Sequence, residues 1–270
     1  MKINLIAVVA DLHCGSVYGL VPPDFQLGDG GIYQQNEIQR WAWECWNDAE
    51  KFVWEVAGKT PYALVVNGDA IEGNHHRTTE IISPGIDDHF NCADVVLGPL
   101  AKRAAKRFVV RGTECHVQNT ESGLGNKMGA ECMPGSKRAA FDRLPLTVNG
   151  CRVVFRHHVA TTARPYLESG AFSIALACER EEAVRNGEPA PQVVCCAHRH
   201  KFGLWEDESS LMIVSPPWQA GLTRHGNKVV PHARCRIGLF LLDWRGKPQG
   251  SLPDVHKRIY ASKPEQFIEV

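Results

Sequence analysis

Short apolar runs punctuate the first half of the chain. Residues 3–9 (INLIAVV), 62–66 (YALVV) and 107–111 (RFVVR) are dominated by apolar positions without a clear alternation. Runs of that kind suit strands buried on both faces. Between them the period changes. Ile38, Ala42, Cys45, Ala49, Phe52, Val53 and Val56 recur at helical spacing over 37–57, and Gly58 supplies a stop. Residues 93–106 read as a second helix. Strand–helix–strand–helix–strand in this order predicts parallel pairing through crossover helices.

Beyond residue 140 the pattern shifts. Residues 145–149 and 151–156 predict a hairpin turning at Asn149-Gly150. A helix is expected over 165–186, then short strands at 192–196, 203–206, 211–214 and 236–243. Residues 14–36, 72–91 and 113–136 read as long loops, which on an α/β scaffold usually carry function. No internal repeat or low-complexity linker divides the chain, so residues 1–270 are expected to form a single domain.

Composition narrows the class. With 44% hydrophobic and 22% charged residues, the chain has the make-up of an ordinary soluble protein, and 270 residues can bury a full core. Lys+Arg and Asp+Glu are both 30, which argues against a broad nonspecific nucleic-acid surface. The N-terminal run lacks a small-residue cleavage site and reads as a strand. No apolar stretch approaches the roughly 20 residues a membrane span needs, so no membrane partner is expected. The ten cysteines have no disulfide-scaffold spacing and are read as free thiols of a cytoplasmic protein.

Histidine changes the picture. Of twelve, several stand in pairs just after apolar runs: His75-His76, His157-His158, and His198 with His200. In open α/β sheets ligands gather at the carboxyl ends of strands. Those ends carry Asp11-Leu12-His13, Gly68-Asp69, Gly112-Thr113-Glu114-Cys115-His116, His157-His158 and His198-Arg199-His200. Each alone has an ordinary explanation as a loop cap, a turn or a chance pair. Five in order, each closing a strand with a carboxylate or an imidazole, suggest a metal site.

The set resembles the calcineurin-like metallophosphoesterase superfamily, whose pattern is D-x-H … G-D … G-N-H-[DE] … H … G-H-x-H. The match is Asp11-x-His13, Gly68-Asp69, a variant at Gly112–His116, His157, and Ala197-His198-Arg199-His200, with Ala197 in place of the usual Gly. The resemblance implies a two-sheet β-sandwich flanked by helices, with a dimetal site at the strand carboxyl ends. It implies hydrolysis of phosphomonoesters or phosphodiesters by two divalent metal ions, with Asp69 bridging. Asp11, His13 and His200 would complete one site, and His157 and His198 would serve the other. Mixed nitrogen and oxygen ligation suits Mn, Fe, Zn, Co or Ni. His157 follows its strand directly and is the expected ligand of its pair, with His158 behind it or simply packed.

The third motif departs from the pattern. Thr113 stands where the family's Asn ligates the second metal, and His116 comes two residues late, a Gly-Thr-x-x-His form that resembles phage and prophage members. His116 is expected as the general acid. Asn74, in the lookalike Gly73-Asn74-His75, Glu114, or a water held by Thr113 could supply the missing ligand, with Asn74 favoured. His75 and His76 are candidates to line the cleft, Arg224 and His225 to touch a phosphate, and Trp218 to stack on a base, with core packing the more ordinary role for Trp218. Trp41, Trp43, Trp46 and Trp54 are read as helix packing. Two rival functions differ in class: a nuclease acting on DNA or RNA, which would make a nucleotide or nucleic acid the partner, and a metal-free binding scaffold.

Overall fold

The computed structural model describes residues 2–75, 77–117, 120–159, 168–221, 223–224 and 236–262. Strand β1 (Leu5–Val9) pairs in parallel with β4 (Ala63–Asn67), and β4 in parallel with β5 (Lys106–Val110). Helices α1 (Glu37–Ala57) and α2 (Ile86–Arg103) make the two crossovers. Between β1 and α1 lies a two-stranded ribbon, β2 (Phe25–Gln26) and β3 (Ile32–Tyr33). The C-terminal strands β11 (Arg236–Asp243) and β12 (Asp254–Ala261) add antiparallel to the free edge of β1, giving the order β12-β11-β1-β4-β5.

The second sheet runs β6-β7-β8-β10-β9. Its hairpin, β6 (Leu144–Val148) and β7 (Cys151–Phe155), turns through Asn149 and Gly150, both with positive φ (50° and 79°). Two successive positive φ values match the twist of the flanking strands. Helix α5, described over Glu168–Arg185, connects β7 to its parallel neighbour β8 (Val193–Cys196). Strand β9 (Gly203–Glu206) pairs antiparallel with β10 (Leu211–Val214), which lies parallel to β8.

Strand periodicity explains the unbroken apolar runs. Ile6 and Val8 face the second sheet, while Leu5, Ala7 and Val9 face the helices. Val193 and Cys195 join the inter-sheet core with Leu211 and Ile213, whereas Val194 and Cys196 pack with Met212 and Val214 against α5. The adjacent Cys195 and Cys196 thus enter different cores. The result is two stacked sheets with helices on both outer faces, the expected sandwich. Among the described residues no helix is long and apolar enough to cross a membrane.

Several boundaries differ from the sequence expectation. Helix α2 starts at Ile86, inside the expected loop 72–91. Its first turns are rich in weak helix formers, but His89, Cys92 and Ala93 are buried, and packing overrides propensity. The expected loop 113–136 contains two short helices, α3 (Glu114–Val117) and α4 (Thr120–Lys127). Strand β12 escaped the periodicity reading because it is a half-exposed edge strand with three basic side chains. Helix α1 matches its expected span. It opens on a capping box between Asn36 and Gln39 and closes at Gly58, whose N–H donates to the Trp54 carbonyl at 2.8 Å.

Candidate metal centre

The carboxyl ends of β1, β4, β5, β7 and β8 converge on one buried cluster. The loops after β1 and β4 continue side by side, with Asp11, His13 and Cys14 N–H groups donating to the carbonyls of Gly68, Asp69 and Ala70 at 3.0, 3.0 and 3.1 Å. The carbonyl of Asp11 in turn accepts from the N–H groups of Trp218 and Gln219, both at 2.9 Å. Asp11, His13, Asp69, His198 and His200 all adopt left-handed φ, between 45° and 72°. For non-glycine residues that conformation costs on the order of 1–3 kcal/mol each, and such strain gathers at functional sites. It turns each side chain inward immediately after its strand.

Close approach does the rest. A Cβ on Gly112 would lie 2.2 Å from Asp69 Oδ1, so only glycine leaves room for the carboxylate there. Asp69 Oδ1 then accepts from the Thr113 N–H at 2.6 Å, and Oδ2 from the Thr113 hydroxyl at 3.0 Å.

Two donor groups result. In the first, His13 Nε2 lies 3.1 Å from His200 Nε2, and His200 Nε2 lies 3.5 Å from Asp11 Oδ1. Two nitrogens so spaced, each about 2.1 Å from a shared ion, would subtend roughly a right angle. In the second, His157 Nε2 lies 2.9 Å from Asp69 Oδ2, and Thr113 Oγ1 lies 3.1 Å from His198 Nδ1. Asp69 Oδ2 belongs to both, being 4.0 Å from His13 Nε2. Asp11 Oδ1 is buried and has no hydrogen-bond partner among the described residues, with His157 Nε2 3.9 Å away. A carboxylate oxygen left so is costly unless a cation or proton serves it. The donor set is therefore consistent with metal binding.

The charges of the cluster agree. Burial works against an imidazolium at His157, but the Asp69 carboxylate and then Asp11 overrule it and push His157 up to about 10. Burial also opposes ionisation of Asp69, yet His157 and then His13 hold its carboxyl well below the usual range. Protons on imidazoles here balance carboxylates that a bound cation would balance in their place. Burial and the neighbouring His157 push His198 down to about 4.

Glu72 was not foreseen. It is almost completely buried and accepts from His13 Nδ1 at 2.7 Å and His75 Nε2 at 3.0 Å, while its carbonyl accepts from His116 Nδ1 at 2.8 Å. A carboxylate behind a ligating histidine fixes its tautomer and orientation. Its one sequence signal is an acid three residues past Asp69 in an apolar stretch. The neighbouring Gly73 is explained by packing, since a Cβ there would lie 2.1 Å from the His116 carbonyl oxygen. Glu121 was also missed. It is buried, accepts from the Gly112 N–H at 2.7 Å, and is pushed up to about 8 by burial and by Asp69. An acid in the first turn of a helix carries no sequence signal of such a role.

The other expected residues fall as follows. His116 packs edge-on against His13 and His75, with ring centroids 4.8 and 4.3 Å away, and burial together with His13 pushes it down to about 4. Asn74 is exposed, and its amide donates to the Pro84 carbonyl at 3.3 Å. The Glu114 carboxylate pairs with Arg111. Arg224 is exposed, and its backbone N–H donates to Glu80 Oε2 at 2.9 Å. Trp218 is fully buried against Trp46, ring centroids 4.8 Å apart, so it is core and not a stacking platform. Cys14 is buried, and Cys115 groups with His75 and His116. His76 and His225 lie outside the described residues.

No protein-family model matches the sequence, and no curated protein matches it. Among solved structures the chain is similar to an archaeal phosphodiesterase (10% identity, 95% of this chain and 99% of that one, TM-score 0.48). It is similar to zinc-complexed Vps29 from Entamoeba histolytica (9% identity, 95% and 98%, TM-score 0.44). It is also similar to a predicted phosphoesterase from Streptococcus pneumoniae (11% identity, 96% and 99%, TM-score 0.33). Similarity at this level decides neither family nor function.

Proposed function

We propose that the chain is a metal-dependent phosphoesterase with a dinuclear centre formed by Asp11, His13, Asp69, His157, His198 and His200. One observation carries the reading: Asp69 Oδ2 stands 2.9 Å from His157 Nε2 on one side and 4.0 Å from His13 Nε2 on the other. That is the arrangement a carboxylate bridging two cations requires. Bound there, two divalent ions would neutralise phosphoryl oxygens and lower the pKa of water.

The chain's own groups supply the remainder. Water oxygen joins phosphorus and its proton passes to solvent as the ester P–O bond breaks in line, and the leaving oxygen takes a proton. His116 is the group placed to give it, beside His13. Its Nδ1–H is held by the Glu72 carbonyl, which leaves Nε2 as the nitrogen to carry the transferred proton. Burial and His13 keep His116 neutral at ordinary pH. A bound phosphate anion is the charge that would raise its pKa and place the needed proton on Nε2. His75 meets His116 edge-on and would line the same side of the site.

Metal-stripped protein reloaded with Mn, Zn or Co should hydrolyse p-nitrophenyl phosphate or bis(p-nitrophenyl) phosphate only when loaded. Oligonucleotide cleavage assayed in parallel separates a nuclease from a small-ester hydrolase. Protein that takes up neither metal nor substrate would be a binding scaffold, and the reading would fail.

A further inference from the structure

The reading above leaves the second cation short of a donor. Thr113 stands after β5, where its hydroxyl is engaged by Asp69 Oδ2 at 3.0 Å and His198 Nδ1 at 3.1 Å. A neutral hydroxyl is a weak ligand for a divalent transition metal beside imidazole. Two of the residues that could replace it are engaged elsewhere. Glu114 pairs with Arg111 and is 67% exposed, and Asn74 is exposed with its amide on Pro84.

His158 is placed differently. In a continuing strand, consecutive side chains point to opposite faces, so His158 would turn away from His157. Strand β7 ends at Phe155, however, and the backbone bends at His157. Both rings consequently lie on the cluster side. The His158 ring is 5.1 Å from His157 and 4.7 Å from His198, edge-on to each, and His157 and His198 are 5.2 Å apart. One ring nitrogen from each of the three lies within 4.8 Å of the others. Donors about 2.1 Å from a common ion are separated by roughly 3 to 4 Å, so small ring rotations suffice to close on one.

We propose that His158 is the ligand that completes the second cation site, giving it a donor set of His157, His158, His198 and Asp69. This rests on the dinuclear reading and deepens it. Three imidazoles and one carboxylate suit Zn, Co or Ni and disfavour Mg and Ca. The substitution of a neutral hydroxyl for the usual amide ligand at position 113 is then compensated from the adjacent strand end, not from the loop after β4.

The test is Co²⁺ titration of the metal-free full chain, followed by calorimetry and by visible absorption, which reports the ligand field. Wild type should bind two equivalents. His158→Ala should bind one equivalent as wild type does and the second about 10-fold or more weakly, a loss that even a supporting partner of a ligand causes. The absorption assigned to the second ion should fall with it. Asn74→Ala and Glu114→Ala should bind both ions as wild type does. His158 is exposed, so its replacement is mild for folding, and an unchanged melting temperature verifies this. Two wild-type equivalents with His158→Ala unaltered would overturn the role of His158 alone. A second ion lost in Asn74→Ala or Glu114→Ala would do the same and name the true ligand. Wild type binding no Co²⁺ would overturn the dinuclear reading and this inference together.

Discussion

At the scale of single residues the proposed site rests on a few side chains set behind its donors. Glu72 is the clearest. Its carboxylate fixes His13 Nδ1 and its carbonyl fixes His116 Nδ1, so one residue orients both the proposed cation donor and the proposed proton donor. Glu72→Gln keeps the volume and removes the charge. Metal affinity should drop by about 10- to 100-fold while the fold persists, as measured by calorimetry beside a thermal melt. Unchanged affinity would show that His13 needs no carboxylate behind it. His116→Ala makes a separate prediction. The rate on an ester with a poor alkyl leaving group should fall by about 10²-fold or more, and little on p-nitrophenyl esters, whose leaving group departs unprotonated. Equal losses on both would remove the proton-donor role.

At the scale of elements, α1 shows how the scaffold holds the strand ends still. Its buried stripe of Ala42, Trp46, Ala49 and Val53 packs on the first sheet, and Trp46 meets Trp218, whose backbone N–H donates to the Asp11 carbonyl. The same helix buries Glu50, which accepts from Trp46 Nε1 at 3.1 Å and is pushed up to about 7 by burial. The folded state therefore holds a proton on Glu50 that the unfolded chain releases nearer 4.5. The stability this contributes is fully present below that lower value and is lost as pH rises through about 7. Glu50→Gln keeps the acceptor without the charge. Its melting temperature relative to wild type should rise between about pH 5 and about pH 8, and a pH-independent difference would contradict the assignment.

At the scale of the whole molecule, two five-stranded sheets bring parallel strand ends from both halves of the sequence to one point. Much of this was legible from the chain. The apolar runs marked β1, β4, β5 and β8 because strands buried on both faces cannot alternate, and the residues closing them were the ones the fold gathers. What was not legible has identifiable causes. Strand β12 is amphipathic too weakly to register, and α2 begins among poor helix formers held by packing. Glu72 and Glu121 gained importance only from burial, which sequence does not show. His158 was set behind His157 because in the resembled family the histidine directly follows its strand. The lookalike Gly73-Asn74-His75 is a close-packed glycine, an exposed amide and an imidazole set against His116, with the buried Glu72 just before it.

The most direct measurement is the metal content and turnover of Asp69→Asn beside wild type after identical loading with Co²⁺. Asn keeps the shape of Asp69 but cannot bridge two cations with a charged carboxylate. Wild type should hold two ions per chain and hydrolyse bis(p-nitrophenyl) phosphate or p-nitrophenyl phosphate, whereas Asp69→Asn should lose at least one ion and nearly all activity with its fold intact. An Asp69→Asn protein that retains both ions and the full rate would contradict the account.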